Sequence, residues 1–259
     1  MRKQNLMSVA LRKGVFALCL LFMSNPPLMA QDSGVKNIVL VHGAFGDGSN
    51  WSAVIALLQD RGYHVTAVQN PLTSLREDVA ATERVLERQN GNVLLVGHSW
   101  AGAVITQAGN ANNVKGLVYL SALVPDSNQS VSDALAHFHA PMKGMEADKN
   151  GLIWLDKPEL FHQVMANELS MKQSLLISAV QQPIAAAAFN EKVNAAAWRE
   201  KPSWYLITEN DNALNPLVQA NFAREAGAHI TRIHSDHLSM ISHPKEVAAL
   251  IVNAAQSIH

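Results

Sequence analysis

The sequence predicts an α/β protein with a mainly parallel six-stranded sheet, helices on its flanks and an inserted helical cap. Three observations lead there. Short apolar, β-branched runs alternate with segments of helical spacing, the pattern of a parallel sheet covered on both faces. A tight small-residue turn, Gly97-His98-Ser99-Trp100-Ala101-Gly102, joins one such run to a helical segment. The alternation stops between about residues 126 and 201, where the residues favour helix and no clear strand is visible.

Taken in order, Asn37 to His42 is an apolar run that enters a glycine-rich turn. Trp51 to Asp60 has helical spacing, with Ser49 or Asn50 available as a cap and Gly62 as a stop. His64 to Gln69 reads as a strand ended by Asn70-Pro71, and Arg76 to Gln89 as a helix with Glu83 and Glu87 outward. Asn92 to Val96 is a third strand, leading into the turn and a helix from Ala101 to Ala108. Lys115 to Ser121, Ser203 to Thr208 and His229 to Ile233 complete the set of six. Pro216 to Ala226 and Pro244 to Ala255 read as helices, each with proline in its first turn. The segment 126–201 carries Phe138, Trp154, Phe161, Phe189 and Trp198, as expected of a cap that covers an apolar site.

The chain of 259 residues suits a single α/β domain with an insertion. Net charge is −1 with neither sign clustered, which argues against nucleic acid as a partner. The N-terminus has the organisation of a secretory signal. Arg2, Lys3, Arg12 and Lys13 precede an apolar run from Val15 to Met23, and Pro26-Pro27 and Met29-Ala30 follow it. Cleavage near Ala30 gives a signal peptide of residues 1–30, a mature domain of 31–259 and a periplasmic or secreted protein without stable membrane association. An uncleaved anchor is the alternative, although the run is shorter than the about 20 residues that span a bilayer. The single cysteine, Cys19, lies inside this leader, so the mature chain has no thiol chemistry.

Three groups converge if the strands lie parallel, because their C-terminal ends then share one edge. Ser99 sits in the strand-to-helix turn, where its hydroxyl is held away from the backbone. Such a serine needs a base and oxyanion donors. The first strand ends in His42-Gly43-Ala44-Phe45-Gly46, a turn that frees backbone N–H groups, so Ala44 and Trp100 are the expected donors. That turn contains neither G-x-G-x-x-G nor a Walker lysine, which argues against a phosphate loop. For the acid, Asp211 follows the strand Ser203 to Thr208, with Glu209 and Asp126 as alternatives. For the base, His237 lies in the loop after the last strand, while His234 belongs to the strand end and His243 to a helix start. Asp236, adjacent to His237, is a poor orienting partner for that ring. His98 is expected to pack or hydrogen-bond beside the serine, and His42 to support its turn. His137 and His139 lack a third ligand, so no metal is implied.

Together these segments resemble the α/β-hydrolase superfamily, and within it the small-esterase branch of bacterial EstC-like esterases, plant methylesterases and hydroxynitrile lyases. The resemblance rests on Leu40 to Trp51, Gln69-Asn70-Pro71-Leu72, Gly97-His98-Ser99-Trp100, Ser203-Trp204-Tyr205, Thr208 to Asp211, and Asp236-His237 with Ser242-His243-Pro244. It implies Ser99 as nucleophile, His237 as base, Asp211 as acid, and the N–H groups of Ala44 and Trp100 as the oxyanion hole. It implies no cofactor and a small-molecule ester as substrate. Two departures are informative. Gly43 and Leu238 stand where the lyases carry threonine and lysine, so the cation that would stabilise departing cyanide is missing and ester hydrolysis is the expectation. Ala101 stands where the branch has glycine. A ligand-binding protein with a slow or silent triad is the alternative that the same fold allows.

Overall fold

The computed structural model describes residues 34–140 and 145–258. The leader, its cleavage site and Cys19 lie outside the described residues. The elements run β1 (Asn37–Val41), α1 (Ser52–Gln59), β2 (His64–Val68), α2 (Leu75–Glu87), β3 (Val93–His98), α3 (Ala101–Ala108) and β4 (Val114–Leu120). The inserted segment holds α4 (Val131–His137), β5 (Leu152–Ile153), α5 (Pro158–Met165), α6 (Met171–Ala179) and β6 (Ile184–Ala185). The chain then returns as β7 (Ser203–Thr208), α7 (Pro216–Glu225), β8 (His229–Ile233), α8 (Ser239–Ser242) and α9 (Pro244–Gln256).

Six strands form one parallel sheet in the order β2-β1-β3-β4-β7-β8. The central strands β1, β3 and β7 are buried along their whole length, which is why they read as unbroken apolar runs. The edge strand β8 is exposed over most of its length, and three of its five residues, His229, Thr231 and Arg232, are polar. Because every strand points the same way, the loops that follow β1, β3, β4, β7 and β8 gather at one edge of the sheet. All the candidate site residues lie in those loops.

Two details differ from the sequence expectation. The helix after β1 is not capped by Ser49 or Asn50. Asp47 instead accepts the Ser49 N–H at 2.7 Å, starting a short 3-10 turn (Gly48–Trp51) that runs into α1. The segment 126–201 is not free of strand. β5 and β6 pair antiparallel through Leu152–Ala185 and Ile153–Ile184. Two-residue strands carry no readable period, so only their long-range pairing reveals them.

Candidate active site

Ser99 occupies the turn between β3 and α3 with φ +53°, a left-handed conformation that a non-glycine residue adopts at a cost of about 1–2 kcal/mol. Its neighbours hold it there. The Ser99 N–H donates to the Leu120 carbonyl at 3.0 Å, and the Ser99 carbonyl accepts from Gly102 at 2.9 Å and Leu123 at 3.0 Å. Small residues are compulsory around this turn. A Cβ at Gly97 would lie 2.8 Å from the Ala101 carbonyl, and one at Gly102 would collide with the Leu123 carbonyl. Ala101 fits because the close approach to the β4 loop falls on Gly102, one position later than the motif's second glycine.

The acid candidate is fully committed to its place. Asp211 Oδ2 accepts from His237 Nδ1 at 2.7 Å, from Thr208 Oγ1 at 2.8 Å and from Gln219 Nε2 at 2.9 Å. Its Oδ1 accepts the N–H groups of Ala213 and Leu214, each at 2.8 Å. His237 is buried, so the Asp211 bond sets both the ring orientation and the tautomer, leaving Nε2 as the free face. The two other acids are engaged elsewhere. Asp126 is clasped by the guanidinium of Arg199, which holds its carboxyl below the usual range. Glu209 pairs at the surface with Arg232 at 3.6 Å and His234 at 3.4 Å. Asp236 turns away from the His237 ring. It accepts from Ser242 Oγ at 2.8 Å and from the Glu168 N–H at 3.2 Å.

His98 has a larger part than local packing. Burial depresses its pKa strongly, so the ring is neutral. Its Nε2–H donates to the His237 carbonyl at 2.9 Å, and the two imidazoles lie 4.7 Å apart. Ser121 Oγ donates to the same carbonyl at 3.3 Å. The residue before Ser99 therefore anchors the backbone of the residue expected to serve as its base. His42 works similarly on the first turn. Asn70 N–H donates to His42 Nε2 at 2.9 Å, so Nδ1 carries the proton and donates to the Gly43 carbonyl at 2.8 Å. Asn70 Nδ2 returns a bond to the His42 carbonyl at 2.9 Å, which gives the Gln69-Asn70-Pro71 segment its structural purpose.

A cavity of about 320 Å³ opens between the sheet edge and the inserted segment. Ser99 and His237 face it together, with Ala44 and Trp100. The N–H groups of Ala44 and Trp100 have no hydrogen-bond partner among the described residues. The rest of its wall is mostly apolar, including Phe45, Leu135, Met165 and Phe189, with Asn212 and Asn215 as polar members. Among the described residues no lysine, arginine or carboxylate lines it. Polar bonds tie the inserted segment to both loops of the site. Glu168 accepts from Asn210 Nδ2 at 2.6 Å and pairs with His243 at 2.8 Å, and Asn212 Nδ2 donates to the Gln163 carbonyl at 2.9 Å.

Sequence reasoning missed Gln219 and Asp78. Both are polar residues on an otherwise apolar helix stripe: Gln219 with Val218, Phe222 and Ala223 on α7, and Asp78 with Leu75, Val79 and Leu86 on α2. A polar residue in such a stripe was the available signal.

A family model described as alpha/beta hydrolase matches residues 38–250, and the chain belongs to that family. Among curated relatives, an alpha/beta hydrolase of Aspergillus novofumigatus is 27% identical over 242 residues, covering 84% of this chain and 96% of its own. The putative chloroplastic methylesterase 11 of Arabidopsis thaliana is 26% identical over 270 residues, covering 90% of this chain and 67% of its own. Among solved structures, polyneuridine aldehyde esterase superposes with a TM-score of 0.73 at 20% identity, over 85% of this chain and 98% of that one. A pyrethroid hydrolase from Sphingobium faniae superposes with a TM-score of 0.72 at 20% identity, over 86% and 98%. The sheet, its flanking helices and the family match make the protein a hydrolase by class.

Proposed function

We propose that the protein is a serine carboxylesterase acting on small to medium, largely apolar and uncharged esters. The observation that carries this reading is the joint placement of Ser99 and His237 on one cavity wall, with His237 hydrogen-bonded at 2.7 Å to the buried Asp211. In the reaction, Ser99 Oγ forms a bond to the ester carbonyl carbon while His237 Nε2 takes the hydroxyl proton. The carbonyl electron pair moves to oxygen, where the N–H groups of Ala44 and Trp100 receive it. Collapse breaks the bond to the alkoxy group, which leaves with the proton from His237. Water then attacks the acyl-enzyme with His237 again as base, releasing the acid and free serine. Asp211 steadies the imidazolium through its bond to Nδ1.

The largely apolar wall, with no charged side chain among the described residues, supports neutral acyl and alcohol groups, since a charged substrate would lose its hydration there. The relatives named as esterases agree with ester hydrolysis as the reaction type. The buried Leu238 after His237 offers no cation at that position, which disfavours a cyanide-releasing lyase. Periplasmic or extracellular action follows from the leader composition and is part of this proposal.

Covalent trapping tests the serine mechanism. The protein is incubated with a 4-nitrophenyl alkylphosphonate, then examined as intact mass and as peptides. One adduct mapping to Ser99, and none in Ser99→Ala, is the expected result. An adduct elsewhere, or none, overturns Ser99 as the nucleophile.

A further inference from the structure

The pocket wall rests on a buried carboxylate that the proposed hydrolysis does not use. Asp78, on α2, has no solvent exposure. No cation pairs with it among the described residues. Two neutral donors converge on it instead. Trp100 Nε1–H donates to Oδ2 at 2.7 Å, and the Leu72 N–H donates to Oδ1 at 2.8 Å. Burial raises its carboxyl to about 6; these two bonds oppose the rise, and the nearby charges of Glu191 and Glu77 add to it.

A carboxylate buried without a cation is expensive, and an apolar residue of similar size would serve packing better. Groups of this kind concentrate where geometry matters more than stability. One donor lines the pocket and the other docks the inserted segment. Trp100 follows Ser99, faces the cavity, and sets its indole edge-on against Phe189 of the inserted segment at 4.9 Å. Leu72 has φ +58°, and its carbonyl accepts the Ala185 N–H at 2.9 Å, docking β6. One carboxylate thus joins the serine turn, the loop before α2 and the inserted segment. The indole has one N–H, so a single acceptor fixes its rotation about the side chain.

We propose that Asp78 is a positioning residue that locks the Trp100 indole against Phe189 and thereby sets the acyl-length preference of the pocket. The kinetic consequence rests on the esterase reading, whereas the lock itself does not. With Asn at position 78 the volume is kept, but either the indole N–H or the Leu72 N–H faces an amide NH2, and the clamp that joins the two is broken.

The test compares wild type, Asp78→Asn, Trp100→Phe and the double variant on 4-nitrophenyl acetate and 4-nitrophenyl octanoate. Asp78→Asn is expected to change the octanoate-to-acetate ratio of kcat/KM by about fivefold or more, with Tm moving by less than about 10 °C because loss of the buried charge offsets the donor left facing an amide NH2. Trp100→Phe shifts the ratio in the same direction, and the double variant goes no further than the stronger single one, as for residues acting as a unit. An unchanged ratio overturns the proposal, and so does a fall in Tm of more than about 10 °C with the ratio intact, which marks a purely structural role. A turnover-independent readout is the Trp100 indole N–H resonance, assigned by its loss in Trp100→Phe. It is expected to move with a midpoint near pH 6 in wild type and to stay still in Asp78→Asn. If wild type hydrolyses neither ester, the esterase reading fails and this titration decides the lock. A Trp100 resonance that does not respond to pH in wild type overturns it.

Discussion

Replacing Gln219 with leucine should cost far more stability than activity. The Gln219 side chain has no solvent exposure and serves three partners through Nε2: Asp211 Oδ2 at 2.9 Å, Thr208 Oγ1 at 3.0 Å and the Leu214 carbonyl at 2.8 Å. Its Oε1 accepts the Thr208 N–H at 3.0 Å. Leucine fills similar space and offers none of these bonds. Two buried backbone groups, the Thr208 N–H and the Leu214 carbonyl, then lose side-chain partners. At about 1–3 kcal/mol for each stranded buried group, the loss is about 2–6 kcal/mol. For a domain of this size that lowers Tm by roughly 4–24 °C. Asp211 keeps four of its five donors, including His237, so kcat/KM falls by no more than about 10–150-fold, the loss of about one hydrogen bond to a charged group. Thermal unfolding followed by circular dichroism, beside ester hydrolysis below the transition, measures both. A Tm within about 2 °C of wild type would refute the reasoning, since buried backbone groups cannot be stranded without cost. So would a loss of activity as deep as that of Ser99→Ala.

Three further outcomes follow from the same geometry. Asp126→Ala should leave activity near wild type and cost no more than about 1 kcal/mol, because its carboxylate serves a surface pair with Arg199; Asp211→Asn should lower kcat by about 10⁴, as in other triads, so kinetics of the two variants identifies the acid. His98 has a folded-state pKa below its unfolded value of 6.5, so the unfolded chain binds its proton first. Stability is therefore complete above about pH 6.5 and declines as pH falls below it, and His98→Gln should flatten that decline by about 1.4 kcal/mol per pH unit in denaturant melts between pH 6 and 5. Gly43→Ala should impair catalysis with the fold retained, because the new Cβ meets His98 Nδ1 and Ser99 Cβ at 2.9 Å; a fall of about tenfold or more in kcat is expected for a displaced nucleophile, and wild-type kcat would contradict the tight contact.

The parts of this protein that were legible from sequence are those with a period or a turn signature. β7 and β8 fall on Ser203–Thr208 and His229–Ile233 as read, because each is bounded by turn residues and one is continuous apolar sequence. Ser99, Asp211 and His237 are candidates in the sequence because parallel strands deliver their following loops to one edge. What escaped depends on contacts far apart in the chain. Asp78 meets Trp100 across 22 residues, and His98 meets the His237 carbonyl across 139. β5 and β6, two residues each, exist only through each other. The choice among Asp211, Glu209 and Asp126 was open in sequence, since all three follow strand ends. In the structure only Asp211 has its carboxylate bonded to the His237 ring, and Arg199 and Arg232 draw the other two away.

The central claim is that Ser99 performs nucleophilic ester hydrolysis. Steady-state hydrolysis of 4-nitrophenyl acetate by residues 31–259, wild type beside Ser99→Ala, tests it most directly. The account predicts saturable turnover by wild type and a loss of at least about a thousandfold in kcat in the variant, at unchanged Tm. Equal rates for the two proteins would contradict it.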